Sequence, residues 1–267
     1  MYRYFDIHSH LTFQDFDTDR SLIIEKMKEI GMGTITVGTE LGTSQAAVEL
    51  AHEHAHLFAT VGIHPTHGEA FDEETFSKLA EDRKVVAIGE CGLDYFRIDP
   101  NDTETKEAQK KMFEAHIVLA LKHDMPLMIH GRPRKGSMDA YEDIIEILES
   151  TKHQAPNSKL RGNIHFFVGD IPTAQKFLDL GFTMSFDGPI TFSRDYDDVI
   201  KFIPENMIMA ETDAPFATPE PFRGHRNEPL YVEHVVRTLA EVRGADFESF
   251  RKTLVENALR VFGIPQN

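Results

Sequence analysis

Residues 85–94, Val-Val-Ala-Ile-Gly-Glu-Cys-Gly-Leu-Asp, are a short apolar run that meets acidic residues at its end. A run of this length that is rich in β-branched residues predicts a buried strand. Seven further runs along the chain have a similar character. The eight predicted strands cover residues 4–10, 34–39, 57–64, 85–94, 126–132, 163–169, 182–188 and 208–215.

The segments between these runs carry apolar residues at helical spacing, as at Tyr141, Ile144, Ile145 and Leu148. Successive strands begin about thirty residues apart, which is the length of one βαβ unit. Eight such units predict an α/β fold, a (β/α)8 TIM barrel formed by a single domain over residues 1–267. A doubly wound open sheet is the alternative. Residues 246–263 predict one further helix at the end of the chain.

The composition narrows the classes of function. The 267 residues include 44 Asp and Glu against 28 Lys and Arg, a net charge of −16. Broad, non-specific binding to DNA depends on many basic residues, so any contact with nucleic acid must be local. No apolar run is long enough for a membrane span, and residues 1–10 do not resemble a signal peptide. The single cysteine, Cys91, cannot form an internal disulfide, so we expect a cytoplasmic protein, and no obligate protein partner is evident.

Histidines and carboxylates gather where the predicted strands end. In a TIM barrel these carboxyl ends form one face, which carries the active site. We therefore expect these side chains to meet at one mouth of the barrel. They are His8, His10, His64, Glu90, His130, His165 and Asp213.

His8 and His10 are two residues apart, so on a strand both side chains leave the same face and can bind one cation. By itself this pair fits a polar strand end equally well. Asp213 ends the eighth strand, which lies beside the first strand in a closed barrel. The three residues can thus share one metal ion and leave positions open for water.

Glu90 has two carboxylate oxygens that can bridge two cations, and His130 and His165 could complete the second site. The alternatives are a buried charge paired with an arginine for Glu90, and satisfied core imidazoles for the histidines. Six polar residues at the strand ends favour the metal hypothesis. Two divalent cations would stabilise both the attacking and the leaving oxygen at phosphorus. The mixture of imidazole and carboxylate suits zinc or manganese better than magnesium.

His64, in Gly-Ile-His-Pro, has no cation left to bind, and we expect it at the rim of the mouth. There it could contact a phosphate or protonate a leaving group, and a strand-capping role is an equal alternative. Arg97, Arg132 and Arg223 follow predicted strands and could bind phosphate from the same rim, together with Arg134, Lys135 and Arg226. Arg132, two residues after His130, is the strongest candidate.

The chain resembles the TatD family of metal-dependent hydrolases, among the amidohydrolase-like barrels. The similarity covers nearly the whole chain in order. The matching stretches are residues 6–11 (Asp-Ile-His-Ser-His-Leu), 61–65 (Val-Gly-Ile-His-Pro), 88–95 (Ile-Gly-Glu-Cys-Gly-Leu-Asp-Tyr), 126–132 (Pro-Leu-Met-Ile-His-Gly-Arg), 164–169 (Ile-His-Phe-Phe-Val-Gly), 211–215 (Glu-Thr-Asp-Ala-Pro) and 226–229 (Arg-Asn-Glu-Pro).

The resemblance implies the same distribution of the six ligands over two cations, with Glu90 between them. It also implies that Asp213 orients or deprotonates the attacking water during hydrolysis of DNA from one end. Residues 166–169 read Phe-Phe-Val-Gly where Cys-Phe-Ser-Gly is more usual, and Gly131 stands where Ser is common. These departures leave the ligands intact but can alter the shape of the pocket.

Three functions follow as hypotheses. The first is a metal-dependent phosphodiesterase, a 3′ to 5′ exonuclease on single-stranded or damaged DNA, with nucleic-acid ends as substrate. The second is hydrolysis of esters or amides, such as deacylation of D-aminoacyl-tRNA. The third is a metal-stabilised binding scaffold, which predicts closed coordination without a position for water.

Overall fold

Eight parallel strands pair in the order of the chain, so that the sheet curves until its first and last strands meet. This computed structural model describes residues 2–155 and 157–265, so the ends of the predicted 1–267 domain lie outside the described residues. The Asp213 N–H donates to the His8 carbonyl at 2.9 Å, and the His10 N–H donates to the Ala214 carbonyl at 2.7 Å. These bonds join the last strand to the first and confirm the predicted barrel over the open sheet. The strands are β1 (Tyr4–Ser9), β2 (Met32–Val37), β3 (Leu57–Val61), β4 (Val85–Asp94), β5 (Leu127–Arg132), β6 (Gly162–His165), β7 (Thr183–Phe186) and β8 (Ile208–Ala210).

Helices alternate with the strands and pack around the barrel. Four of them begin with an aspartate whose side chain accepts an N–H of the first turn, namely Asp72, Asp102, Asp170 and Asp246. Two helices follow β8, as the sequence predicts. The helices are α1 (Arg20–Glu29), α2 (Leu41–Glu53), α3 (Glu73–Ala80), α4 (Thr103–Lys122), α5 (Asp139–Gln154), α6 (Ile171–Asp179), α7 (Asp197–Phe202), α8 (Val232–Arg243) and α9 (Phe247–Val261).

The last helix, α9, covers the apolar side of β1 and β8. Its residues Val255 and Leu259 share a buried cluster with Phe5 of β1, Phe58 of β3 and Met209 of β8. Phe5 and Phe58 lie near the starts of their strands, so α9 closes the amino-terminal end of the barrel. The carboxyl ends of the strands are left to form the polar mouth. Among the described residues, no helix combines the length and the apolar character that crossing a membrane requires.

Several strands end earlier than the sequence predicts. Strand β3 ends at Val61, β6 at His165 and β8 at Ala210, whereas the apolar runs suggested ends at residues 64, 169 and 215. Phe166 and Asp213 have φ angles of 47° and 53°, which an extended strand cannot contain. The chain therefore turns into the mouth, and His64 and Asp213 lie in loops just beyond their strands.

Gly92 allows β4 and β5 to approach closely. Its φ is +133°, and a Cβ atom at this position would collide with the carbonyl oxygen of His130. A larger residue would force β4 away from β5. The glycine thereby keeps the strand that carries Glu90 beside the strand that carries His130.

Candidate metal centre

Glu90 lies between two groups of histidines and directs one oxygen toward each. Its Oε1 atom is 3.0 Å from His130 Nδ1 and 3.0 Å from His165 Nε2. Its Oε2 atom is 3.5 Å from His8 Nε2 and 3.8 Å from His10 Nε2. One carboxylate thus connects groups that strands β1, β5 and β6 supply.

Asp213 completes the group around β1. Its Oδ1 atom is 3.3 Å from His10 Nε2 and 3.6 Å from His8 Nε2, and these two nitrogens are 3.2 Å apart. The left-handed backbone of Asp213 is held by its hydrogen bond to the His8 carbonyl. Within each of the two sets His8, His10, Asp213 and Glu90, His130, His165, the candidate ligand atoms lie within 4.8 Å of one another.

The outer nitrogens of three histidines determine which nitrogen faces the centre. His10 Nδ1 is 3.1 Å from the Val37 carbonyl, His130 Nε2 is 3.2 Å from Asp94 Oδ2, and His165 Nδ1 is 3.3 Å from Glu211 Oε1. Each outer nitrogen can donate its N–H to this acceptor, so that in the neutral ring the other nitrogen carries a lone pair directed inward. Lone pairs and carboxylate oxygens that converge in this way fit divalent cations.

The centre is buried, and burial and the neighbouring charged groups together set the ionisation of its members. Burial alone would raise the pKa of Glu90, but the charge of the adjacent His165 and the hydrogen bond from His130 outweigh it and hold the pKa well below its usual range. Burial, together with the neighbouring His165, lowers the pKa of His8. For His10, His130 and His165 the adjacent carboxylates outweigh burial and raise the pKa, so a cation would bind there in place of a proton. An ionised carboxylate and a neutral imidazole are the forms that bind metals.

His64 lies deeper than the rim position that the sequence suggests. Its Nε2 atom is 3.3 Å from His130 Nδ1 and 3.6 Å from Glu90 Oε1. Its Nδ1 atom accepts the N–H of Thr66 at 3.2 Å, so in the neutral ring the proton is on Nε2. Burial and the adjacent His130 lower the pKa of His64 to about 3. His64 is therefore a neutral hydrogen-bond donor that faces the centre.

The arginines of the predicted rim fall into two groups. Arg97 and Arg132 are exposed, and the Arg223 side chain is 55% exposed. Arg226 instead donates to both carboxylate oxygens of Asp19 at 2.8 and 2.7 Å. The Arg134 side chain makes a single contact of this kind, because its Nε donates to Asp139 Oδ2 at 2.6 Å. The guanidinium groups of these last two already have carboxylate partners, and their binding to phosphate stays a prediction.

Sequence reasoning missed two buried carboxyl groups at the mouth. Glu211 accepts the N–H of Phe166 at 2.6 Å and the hydroxyl of Ser185 at 2.7 Å, and so fixes the outer side of His165. Asp187 directly follows β7 and is 2% exposed. Both lie where a strand ends, so the rule that found Glu90 could have found them.

Comparison with known proteins agrees with this geometry. A family model described as "TatD related DNase" matches residues 5–263. The uncharacterized metal-dependent hydrolase YabD of Bacillus subtilis is 37% identical over 266 residues, which cover 97% of this chain and 99% of the relative. The 3′-5′ ssDNA/RNA exonuclease TatD of Escherichia fergusonii is 33% identical over 272 residues, with 97% and 99% covered.

A solved structure shows the same similarity in three dimensions. The TatD homologue YjjV of Escherichia coli superposes with a TM-score of 0.85 at 27% identity, over 98% of this chain and 99% of that chain. The similarity thus extends over both sequence and fold. The chain belongs to the TatD family of metal-dependent hydrolases.

Proposed function

We propose that this hydrolase cleaves phosphodiester bonds and removes nucleotides from the 3′ end of single-stranded DNA. The observation that carries the proposal is the position of Glu90, whose two oxygens face two separate groups of histidines. The names of relatives such as the exonuclease of Escherichia fergusonii support the choice of substrate.

His8, His10 and Asp213 would hold one cation and His130 and His165 another, and Glu90, which directs one oxygen toward each group, would contribute to both. The mixed nitrogen and oxygen donors favour zinc or manganese over magnesium. When bound, two such cations neutralise the charge that develops at phosphorus and lower the pKa of the attacking water.

The side chains have separate roles in the proposed reaction. Asp213 orients the attacking water and accepts its proton. His64 donates its Nε2 proton in a hydrogen bond to a phosphate oxygen, because its other nitrogen is committed to Thr66. Arg97, Arg132 and Arg223 bind neighbouring phosphates at the rim. A net charge of −16 disfavours broad, non-specific binding along duplex DNA. The few arginines at the rim therefore favour contact with the end of a strand.

The test uses metal-stripped protein reconstituted separately with manganese, magnesium and zinc. A 5′-labelled single strand should shorten by one nucleotide at a time with at least one metal, and duplex should be cut more slowly. Glu90→Gln should abolish cleavage, whereas Glu53→Gln, an exposed glutamate in α2, should retain it. If DNA survives with every metal, the nuclease proposal is wrong, and aminoacyl esters and amides become the substrates to assay. A cytoplasmic location stays a prediction.

A further inference from the structure

Three phenylalanines are conspicuously exposed on the face of the barrel that carries the metal centre. Phe96 is 43% exposed, Phe192 is 41% exposed and Phe216 is 53% exposed. They lie in the loops after β4, β7 and β8. Large apolar side chains gain free energy by burial, so several exposed rings around one mouth indicate a surface that contacts a ligand.

One aromatic surface begins at a candidate metal ligand. The half-buried ring of Phe13 stacks on His10 with centroids 4.6 Å apart and planes at 16°. Phe216 meets Phe13 edge-on at 6.1 Å and lies 6.2 Å from His10. A flat ligand group stacked on either ring would therefore lie beside His10, in the first group of candidate ligands.

A second aromatic surface carries a positive charge. The Arg132 guanidinium lies 4.1 Å from the centroid of Phe96. The Phe96 N–H donates to Asp94 Oδ1 at 3.0 Å, and the other oxygen of Asp94 faces His130. The pair of Phe96 and Arg132 is therefore connected through Asp94 to His130, in the second group of candidate ligands.

The order of the strands separates the two surfaces. Phe13 and Phe216 follow β1 and β8, whereas Phe96 and Arg132 belong to β4 and β5 or their loops. In a barrel of eight strands paired in chain order, β4 and β5 lie across the mouth from β8 and β1. The aromatic surfaces thus flank the metal centre on opposite sides.

The loop after β7 extends the first surface. Arg223 lies 3.9 Å from the centroid of Phe192, and Thr191 accepts the N–H of Glu220 at 2.9 Å, which joins the loops after β7 and β8. A ring beside a guanidinium matches a nucleotide, since the ring stacks on a base and the cation pairs with its phosphate. An apolar partner without phosphate would offer no anionic group to Arg132 and Arg223.

We propose that Phe13 with Phe216, and Phe96 with Arg132, are stacking platforms for the two nucleotides that flank the scissile bond. This inference rests on the proposed nuclease function and adds a reason for its strand preference. Bases in a duplex are already stacked and paired, so only unpaired bases can lie on these platforms. Single-stranded DNA and single-stranded RNA share this chemistry.

The experiment measures binding without hydrolysis. Two oligonucleotides, with the fluorescent base 2-aminopurine at the 3′-terminal or at the penultimate position, are each titrated with protein in EDTA. We compare wild type with Phe216→Leu and Phe13→Leu for the first platform and with Phe96→Leu for the second, since leucine is apolar but has no aromatic face. Phe202→Leu is the matched control, because Phe202 is also exposed, at 37%. It lies at the end of α7, near the start of β8, and so at the face of the barrel opposite the metal centre. Thermal unfolding verifies that each variant is folded.

We expect wild type and Phe202→Leu to quench the fluorescent base equally, and each platform variant to bind about 5-fold more weakly or worse with reduced quenching. The same probe within a blunt duplex should not be quenched. DNA and RNA strands of the same base sequence are compared to identify which sugar the platforms accept. Quenching of the probe in the DNA strand or in the RNA strand supports the platforms.

The inference is overturned if wild type does not quench the single strand, if the platform variants match wild type, or if duplex is quenched equally. These outcomes are independent of cleavage. Quenching without cleavage under any metal would contradict the nuclease proposal and support the platforms. Cleavage without quenching would support the nuclease proposal and contradict the platforms.

Discussion

Asp213 has a backbone conformation that is rare outside glycine and a side chain between two histidines. Its φ of 53° is fixed by the hydrogen bond to the His8 carbonyl, and its Oδ1 atom is 3.3 Å from His10 Nε2. Unusual backbone geometry of this kind often accompanies function. The side chain is therefore held in place before any substrate binds.

We predict that Asp213→Asn lowers kcat by about 10²-fold or more, because an amide cannot accept the proton of the attacking water. The melting temperature should stay near that of wild type, since the amide is isosteric. Steady-state kinetics on end-labelled DNA and thermal unfolding measure both quantities. A variant with nearly wild-type turnover would remove Asp213 from the chemistry.

We predict that His64→Ala reduces turnover strongly and leaves thermal stability unchanged. The reason is the Nε2 proton of His64, which faces Glu90 and His130 while Nδ1 accepts the N–H of Thr66. Specific activity and melting temperature are measured on the same preparation. Reduced stability with preserved specific activity would instead assign His64 to capping of β3.

At the scale of elements, His116 connects helix α4 to the segment that follows β3. Its ring is fully buried, Nδ1 is 2.7 Å from the Met112 carbonyl, and Nε2 accepts the N–H of Ile63 at 2.9 Å. Ile63 directly precedes His64. The helix therefore helps to place a residue of the site, although His116 itself lies in the core.

We predict that His116 makes the protein less stable in acid. Burial lowers its pKa to about 4, against the ordinary value of about 6.5 for a histidine in water. As the pH falls, His116 is protonated in the unfolded chain before it is protonated in the folded protein. The free energy of unfolding therefore has its full value above pH 6.5 and decreases as the pH falls toward 4. The loss is about 1.4 kcal/mol per pH unit in that window.

Urea unfolding of metal-stripped protein at pH 7.5 and pH 5 tests this prediction. Wild type should lose about 2 kcal/mol more than His116→Gln between the two pH values. Equal losses in the two proteins would show that His116 does not titrate on unfolding.

At the scale of the whole molecule, an acidic protein must bind a polyanion through few cations. The net charge is −16, and the exposed arginines at the mouth are Arg97, Arg132 and Arg223. Three contacts with phosphates of a single strand predict a slope near −2 when log kcat/KM is plotted against log salt concentration.

Substitution of one of these arginines should reduce the slope by about 0.7. Arg132→Gln is the test, and Arg237→Gln is the control, because Arg237 lies in α8 and is paired with Glu233. Kinetics from low to moderate salt give the slope. A wild-type slope steeper than about −4 would indicate basic contacts far beyond the mouth.

The regular alternation of apolar runs and helical segments predicted the barrel correctly, and the resemblance to the TatD family is confirmed. Both predictions succeed because they depend on local periodicity and on motifs that extend over most of the chain. The boundaries were less accurate, as at β8, which ends at Ala210 instead of residue 215. Where a strand stops depends on backbone pairing with its neighbour, which a single segment does not encode.

The sequence by itself determined the fold and the set of polar residues at the strand ends, because strand period and strand order place them at one mouth. Only the tertiary structure decided how each oxygen of Glu90 is directed, how deeply His64 lies and which arginines form short ion pairs with carboxylates. These properties depend on partners that are distant in the chain, such as Val37 for His10, Glu211 for His165 and Asp19 for Arg226. Such partners meet only when the barrel closes.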